Sequence, residues 1–168
     1  CLKGWLQTNK APDPDGLHPM LLKECAVELS LPISKIFSES YESGVLPEDW
    51  KMANISPIFK KGSRTDAANY RPVALTAVLC KVMERIIRDK MVEYLEKNEL
   101  LSAHQHGFTR KRSCLTNLLK TFEEWTQALD AGYGVDVVYL DYRKAFDTVP
   151  TKRLMEKVRQ FGFDGRVL

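Results

Sequence analysis

The chain has 168 residues, of which 44% are hydrophobic and 28% charged, the size and mix of one globular domain or of part of a larger one. No apolar stretch approaches the roughly 20 residues that cross a bilayer, and Lys3, Lys10 and Asp13 interrupt any signal-like start, so a soluble intracellular chain with no membrane partner is expected. The net charge of +3 hides an asymmetry: residues 1–50 hold four basic and eight acidic residues, whereas 51–168 hold 21 basic and 14 acidic ones.

Two stretches contain no acid at all: Lys51 to Arg64, with four basic residues, and His104 to Ser113, with Arg110, Lys111 and Arg112. Such clusters suit nucleic-acid backbones or triphosphates, or form a solvated surface. Cys1, Cys25, Cys80 and Cys114 lie far apart without CxxC spacing, which argues against a zinc knuckle or disulfide framework and for reduced thiols. His104 and His106 have no partner ligands beside them and read as ordinary polar residues. A start without Met and an end at Gly165-Arg166-Val167-Leu168 lead us to expect a fragment of a longer reading frame.

In chain order, the segment Ala11-Pro12-Asp13-Pro14-Asp15-Gly16 predicts a loop. From Pro19, the spacing of Met20, Leu21, Leu22, Cys25, Ala26 and Leu29 predicts one amphipathic helix, and Pro32 opens another that ends near Gly44. Ala53, Ile55, Ile58 and Phe59 predict a strand entering the basic loop Lys60-Lys61-Gly62. Tyr70-Arg71-Pro72-Val73-Ala74-Leu75 predicts the returning strand of a hairpin-like pair with a long exposed tip, with Pro72 at an edge or strand end. Leu79, Val82, Met83, Ile86, Ile87, Tyr94 and Leu95 mark a long helix from about Ala77 to Lys97.

After a loop through Leu101 to Arg112, Leu115, Leu118, Leu119, Phe122, Trp125 and Leu129 predict a helix capped near Ser113 whose stripe belongs to the core. Ala131-Gly132-Tyr133-Gly134 then turns into Val135–Leu140, whose nearly continuous apolar character predicts a strand buried on both faces. Pro150 suits the first turn of a last helix with Leu154, Met155, Val158 and Phe161, closed by Gly162. The buried strand would end on Asp141. A carboxylate held rigidly at the lip of a core is a place where a divalent cation can bind.

The ordered set PDPDGLHP, KMANISPIFKKG, NYRPVALT, HQHGF and VVYLDYRKAFDTV closely resembles the reverse transcriptases of non-LTR retrotransposons, particularly jockey-like and chicken-repeat-like elements, from about residue 10 to residue 168. The resemblance implies an α+β right-hand polymerase fold, with a fingers segment over 1–103 and the start of the palm over 104–168. It implies an RNA template, a DNA primer, deoxynucleoside triphosphates and two Mg2+ ions, in a parent enzyme found in cytoplasm and nucleus. Asp141 matches the first catalytic carboxylate, which binds both metals, and the carbonyl of Tyr142 matches a second ligand beside the nucleotide. Phe146, followed by Asp147 in the AFD context with Lys144 and Ala145, matches the aromatic residue that selects deoxyribose by excluded volume. Asp147 itself would anchor a turn or helix start.

The same resemblance places Lys61 and Arg71 on the incoming triphosphate, with Lys60 the alternative lysine. Gln105, Gly107 and Phe108 match a motif that touches the template, Gly107 allowing close backbone approach. Thr109 stands where the family often has Arg, so Arg110, Lys111 and Arg112 are read as solvated or as touching template phosphate. The family's paired aspartates do not occur in these residues, and the segment alone is expected to be inactive. Alternative readings are a decayed or domesticated copy that binds RNA without catalysis, and an intron maturase or other cellular reverse transcriptase.

Overall fold

The computed structural model describes Gly4, Leu6 and residues 15–142 and 148–165. Lys144, Ala145, Phe146 and Asp147 therefore lie outside the described residues, as does much of the first loop. The architecture is mixed: five α-helices and a two-stranded sheet among the described residues.

The chain divides into two compact units, Cys1–Val92 with Asp164–Leu168, and Glu93–Phe163. In the first, Asp15 Oδ1 accepts the Leu17 amide at 3.0 Å and leads into α1 (Pro19–Glu24), where Pro19 takes the first turn and His18 Nδ1 accepts from the Met20 amide at 3.1 Å. The single helix expected through Leu29 stops at Glu24. Pro32 sets where the next helix begins: with no N–H to give the Glu28 carbonyl, residue 32 has to lie in a helix's first turn, and residues 25–29 form turns between the two helices. Helix α2 (Ser30–Ser43) begins with Pro32 in its first turn and ends at Gly44, whose φ of +70° closes it in the left-handed region.

A 3-10 turn at Glu48–Lys51 drives Trp50 inward, and β1 (Ala53–Phe59) pairs antiparallel with β2 (Tyr70–Thr76), from Ala53 opposite Thr76 to Phe59 opposite Tyr70. The Lys60 amide donates to the Asn69 carbonyl at 2.8 Å. Because bonded and non-bonded pairs alternate, Pro57 opposite Pro72 falls on a non-bonded pair, where the missing N–H groups would have pointed away from the partner. The long tip is the expected one.

α3 (Val78–Lys97) packs its first turns on α2. Trp50, Ala77, Cys80 and Met83 form one buried cluster, Leu22, Ile33 and Val78 a second, and Phe37 and Leu79 touch both, so the two make one core. Phe37 meets Trp50 edge-to-face at 5.7 Å. The Cys80 thiol donates to Glu84 Oε1 at 3.6 Å, and burial first, then the Glu84 charge, pushes its pKa up to about 11. It behaves as a small apolar side chain.

The second unit holds the end of α3, then α4 (Cys114–Asp130) and α5 (Thr151–Gln160), with Pro150 capping α5 instead of lying within it. Gly162 follows α5 with φ +90°, and a Cβ there would stand 2.6 Å from Tyr94 Oη; next to it the Phe163 ring lies 4.9 Å from that of Tyr94.

Two expectations fail in this unit. Residues 135–140 form no strand, and Val138 and Leu140 are 79% and 81% exposed. The α4 stripe is not core either: Leu115, Leu118, Leu119, Phe122 and Leu129 are each more than half exposed. The cause is the same in both places. An apolar run reports that a segment prefers a dry neighbour, and among the described residues no second strand pairs with 135–140 and no element covers the α4 face.

Candidate functional site

The hairpin tip is built by its own polar side chains. Gly62 turns the chain at φ +89°, where a Cβ would lie 2.7 Å from Asn69 Nδ2. Asn69 Nδ2 donates to the Ser63 carbonyl at 2.9 Å, Asp66 Oδ1 accepts the Ala68 amide at 2.9 Å, and Tyr70 Oη donates to the Arg64 carbonyl at 2.8 Å. The Phe59 and Tyr70 rings meet edge-to-face at 5.5 Å, and the Arg64 guanidinium stands 5.2 Å above the centre of Phe59. Arg64 is thus tied through both backbone and side chain, a role the sequence did not suggest, although aromatic residues closing both strand ends around a tip arginine were a readable signal.

Lys60, Lys61 and Arg71 all reach solvent from this hairpin. Arg71 pairs with Ile58, so the pleat sends it to the face opposite Phe59, Tyr70 and the stacked Arg64. The ribbon therefore presents cations on both faces and at its tip, and from Lys51 to Thr65 it carries no carboxylate to neutralise them. Such a surface attracts polyphosphate.

A second cluster surrounds Gln105, Gly107 and Phe108. Gln105 Nε2 donates to the Gly107 carbonyl at 2.9 Å, and Phe108 is 97% exposed. Left-handed backbone falls on Phe108 (φ 59°) and Lys111 (φ 58°), not on Gly107, where an added Cβ would make an ordinary 3.5 Å contact. The strained positions are beside the glycine that was expected to provide the freedom.

The loop is tied down from behind. The Arg112 guanidinium donates to the Ala103 carbonyl and, at 3.2 Å, to that of Gln105, so Arg112 is a structural clamp in place of the solvated or template-facing cation expected. His106 Nδ1 shares a hydrogen bond with Thr116 Oγ1 at 3.0 Å, and Lys120 Nζ donates to His104 Nδ1 at 3.2 Å, which makes both histidines links between loop and α4. Ser113 caps α4 by accepting the Thr116 amide, and Thr116 Oγ1 accepts the Ser113 amide in return. His106 Nε2 is shielded from solvent and has no hydrogen-bond partner among the described residues. Desolvation first, then the charges of Arg112, Lys120 and His104, lowers its pKa.

Asp141 and Tyr142 follow the apolar 135–140 run and are both exposed. A carboxylate and a carbonyl are the hard oxygen donors that suit Mg2+. They would fill two of its six positions, and among the described residues no three His, Cys, Asp or Glu side chains converge. Asp141 and the Tyr142 carbonyl therefore complete no metal site by themselves among the described residues.

Residues 58–168 match the family described as reverse transcriptase (RNA-dependent DNA polymerase). Over 153 residues the chain is 31% identical to the probable RNA-directed DNA polymerase from transposon X-element of Drosophila melanogaster, covering 90% of this chain and 17% of that protein. It is 27% identical to the RNA-directed DNA polymerase from mobile element jockey of the same organism (92% and 17%), and 28% identical to the Pol polyprotein of the type-1 retrotransposable element R2 of Popillia japonica (98% and 22%). The chain spans about a fifth or less of the length of these curated relatives. The matched span takes in the tip and returning strand of the basic hairpin, the Gln105–Phe108 loop and Asp141, and the chain belongs to the reverse transcriptase family, among those of non-LTR retrotransposons.

Proposed function

We propose that the chain forms the fingers (1–103) and the first part of the palm (104–168) of a right-hand RNA-directed DNA polymerase from a mobile element, one that extends a DNA primer on an RNA template. The observation that carries this reading is the hairpin that presents Lys60, Lys61 and Arg71, exposed and with no carboxylate among the strand and tip residues leading to Arg64. In this reading Lys61 and Arg71 bind the β- and γ-phosphates of the incoming nucleotide, the guanidinium in a bidentate way and the ammonium as a point charge. Gln105, Gly107 and Phe108 contact the template, Phe108 by offering a flat apolar ring to a base. Phe146 excludes a ribose 2′-hydroxyl. Two divalent ions, when bound, activate the primer hydroxyl and offset charge on the transferring phosphate. Asp141 supplies one carboxylate toward them, so the 168-residue chain by itself is read as inactive.

Titration of the chain with deoxynucleoside triphosphate, followed by amide chemical shifts, tests the binding step. Shifts should cluster at Lys60–Arg64 and Arg71, and Arg71→Ala should weaken binding about tenfold through loss of a charge-assisted pair. Binding of RNA with no nucleotide-dependent shift at the hairpin would favour the non-catalytic RNA-binding alternative.

A further inference from the structure

We propose that Ser63 is a phosphorylation site for a protein kinase that selects basic residues three and two positions before its acceptor, and that phosphate there takes the tip's cations away from a triphosphate. The second half rests on the triphosphate reading above.

Two serines in the chain follow such a basic pair: Ser63, after Lys60 and Lys61, and Ser113, after Arg110, Lys111 and Arg112. By charge alone Ser113 is the better substrate. The fold reverses that order. A kinase reads the residues around its acceptor through acidic subsites along an extended segment. Around Ser113 the segment is not available in that form: Arg112 is clamped on the Ala103 and Gln105 carbonyls, Lys111 is left-handed, and helix α4 starts at Cys114. Ser113 Oγ itself is the helix cap, accepting the Thr116 amide at 3.2 Å.

Ser63 is placed differently. Residues 60–66 are exposed and belong to no helix or strand. Among the described residues the Ser63 hydroxyl makes local contacts alone, to Thr65 Oγ1 at 2.7 Å and from the Thr65 amide at 3.3 Å. Extending the segment opens the tip bonds of Asn69 and Asp66 to the Ser63 carbonyl and of Tyr70 to that of Arg64, all at exposed residues or at the hairpin's end, so it costs the tip but unpacks no core and uncaps no helix. In the reaction Ser63 Oγ attacks the γ-phosphorus of ATP, the bond to the β-phosphate oxygen breaks, ADP leaves, and the hydroxyl proton passes through the kinase's base to water. The product carries about two negative charges within three residues of Lys60, Lys61 and Arg64, and their cations pair with it in place of an incoming phosphate.

The test treats the folded chain with ATP and the catalytic subunit of a cyclic-AMP-dependent protein kinase, and locates phosphate by tandem mass spectrometry. Ser63 should carry most of it, Thr65→Ala should change nothing, and Ser63→Ala should cut incorporation at least about tenfold. A synthetic peptide of residues 107–118 should be phosphorylated on Ser113 at least about tenfold faster than Ser113 in the folded chain. Phosphate chiefly on Ser113 or Thr65 of the folded chain, or full incorporation into Ser63→Ala, would overturn the assignment. For the second half, calorimetry with inorganic tripolyphosphate should show about tenfold weaker binding to the phosphorylated chain. Equal affinity overturns the switch. If the unmodified chain binds no tripolyphosphate, the triphosphate reading and the switch fall together, while the mass spectra still decide the modification.

Discussion

Replacing Trp50 with Ala should remove a large part of the first unit's stability and loosen the base of the hairpin. Trp50 is 8% exposed and sits three residues before β1, packed on Ala77, Cys80 and Met83 with Phe37 edge-on. A buried indole removes roughly 200 Å² from water, which at about 25 cal/mol per Å² gives about 5 kcal/mol as an upper figure. A compact unfolded chain lowers that by roughly 10–40%, to about 3–4.5 kcal/mol, and loss of the ring pair with Phe37 adds about 0.5–1 kcal/mol. The expected cost of about 3–5 kcal/mol is a large share of the 5–15 kcal/mol typical of a domain. Urea denaturation followed by circular dichroism measures it, and hydrogen exchange at β1 amides should accelerate in parallel. Trp50→Phe should retain about half. A loss below about 1 kcal/mol, with unchanged β1 protection, would mean that Trp50 does not anchor the hairpin.

Gly62→Ala should weaken the tip by about 1–2 kcal/mol, chiefly because φ +89° is costly for any residue with a Cβ, since Asn69 can move its amide aside. Faster exchange of the Lys60 amide, which bonds to Asn69, reports the change; an unaltered rate would refute it. His106 has a folded-state pKa below its ordinary 6.5, so the unfolded chain takes up its proton first and the loop-to-helix tie weakens as pH falls through 6.5, with no change at higher pH. Amide exchange across 102–112 should follow that course and lose it in His106→Gln; a flat profile in the unsubstituted chain would discard the idea.

What the sequence disclosed and what it withheld divide along the distance between partners. The helices and the hairpin were legible because their hydrogen bonds close within a few residues and their punctuation is explicit: Gly44 after α2, Ser113 before α4, the basic Lys60-Lys61-Gly62 tip between two alternating runs. The start of α2 was legible too, in Pro32, though α1 ends at Glu24, well before the proline. Lys60, Lys61 and Arg71 could be placed together because an antiparallel register follows from a local turn. The links made by His104, His106 and Arg112 could not, since each joins groups seven to sixteen residues apart with no periodic signal. The α4 stripe and the 135–140 run were correctly read as apolar and wrongly read as buried, because a pattern tells which face seeks cover and not what covers it.

That last distinction bears directly on Asp141. A carboxylate binds a hard cation tightly when its position is fixed before the ion arrives, and Asp141 ends a segment that pairs with no strand among the described residues. In the 168-residue chain its Mg2+ affinity should therefore be no better than that of an isolated carboxylate, weaker than about 1 mM, because two oxygens leave the rest of the coordination shell to water. Asp141→Asn should then be silent in a Mg2+ titration of this chain while abolishing primer extension in an intact polymerase that contains it, where pairing of 135–140 would hold the carboxylate still. Isothermal titration with Mg2+ and a primer-extension assay separate the two. Saturable binding tighter than about 1 mM that disappears in Asp141→Asn would show that this segment fixes its carboxylate without a paired strand, and the link drawn here between strand pairing and catalysis would be wrong.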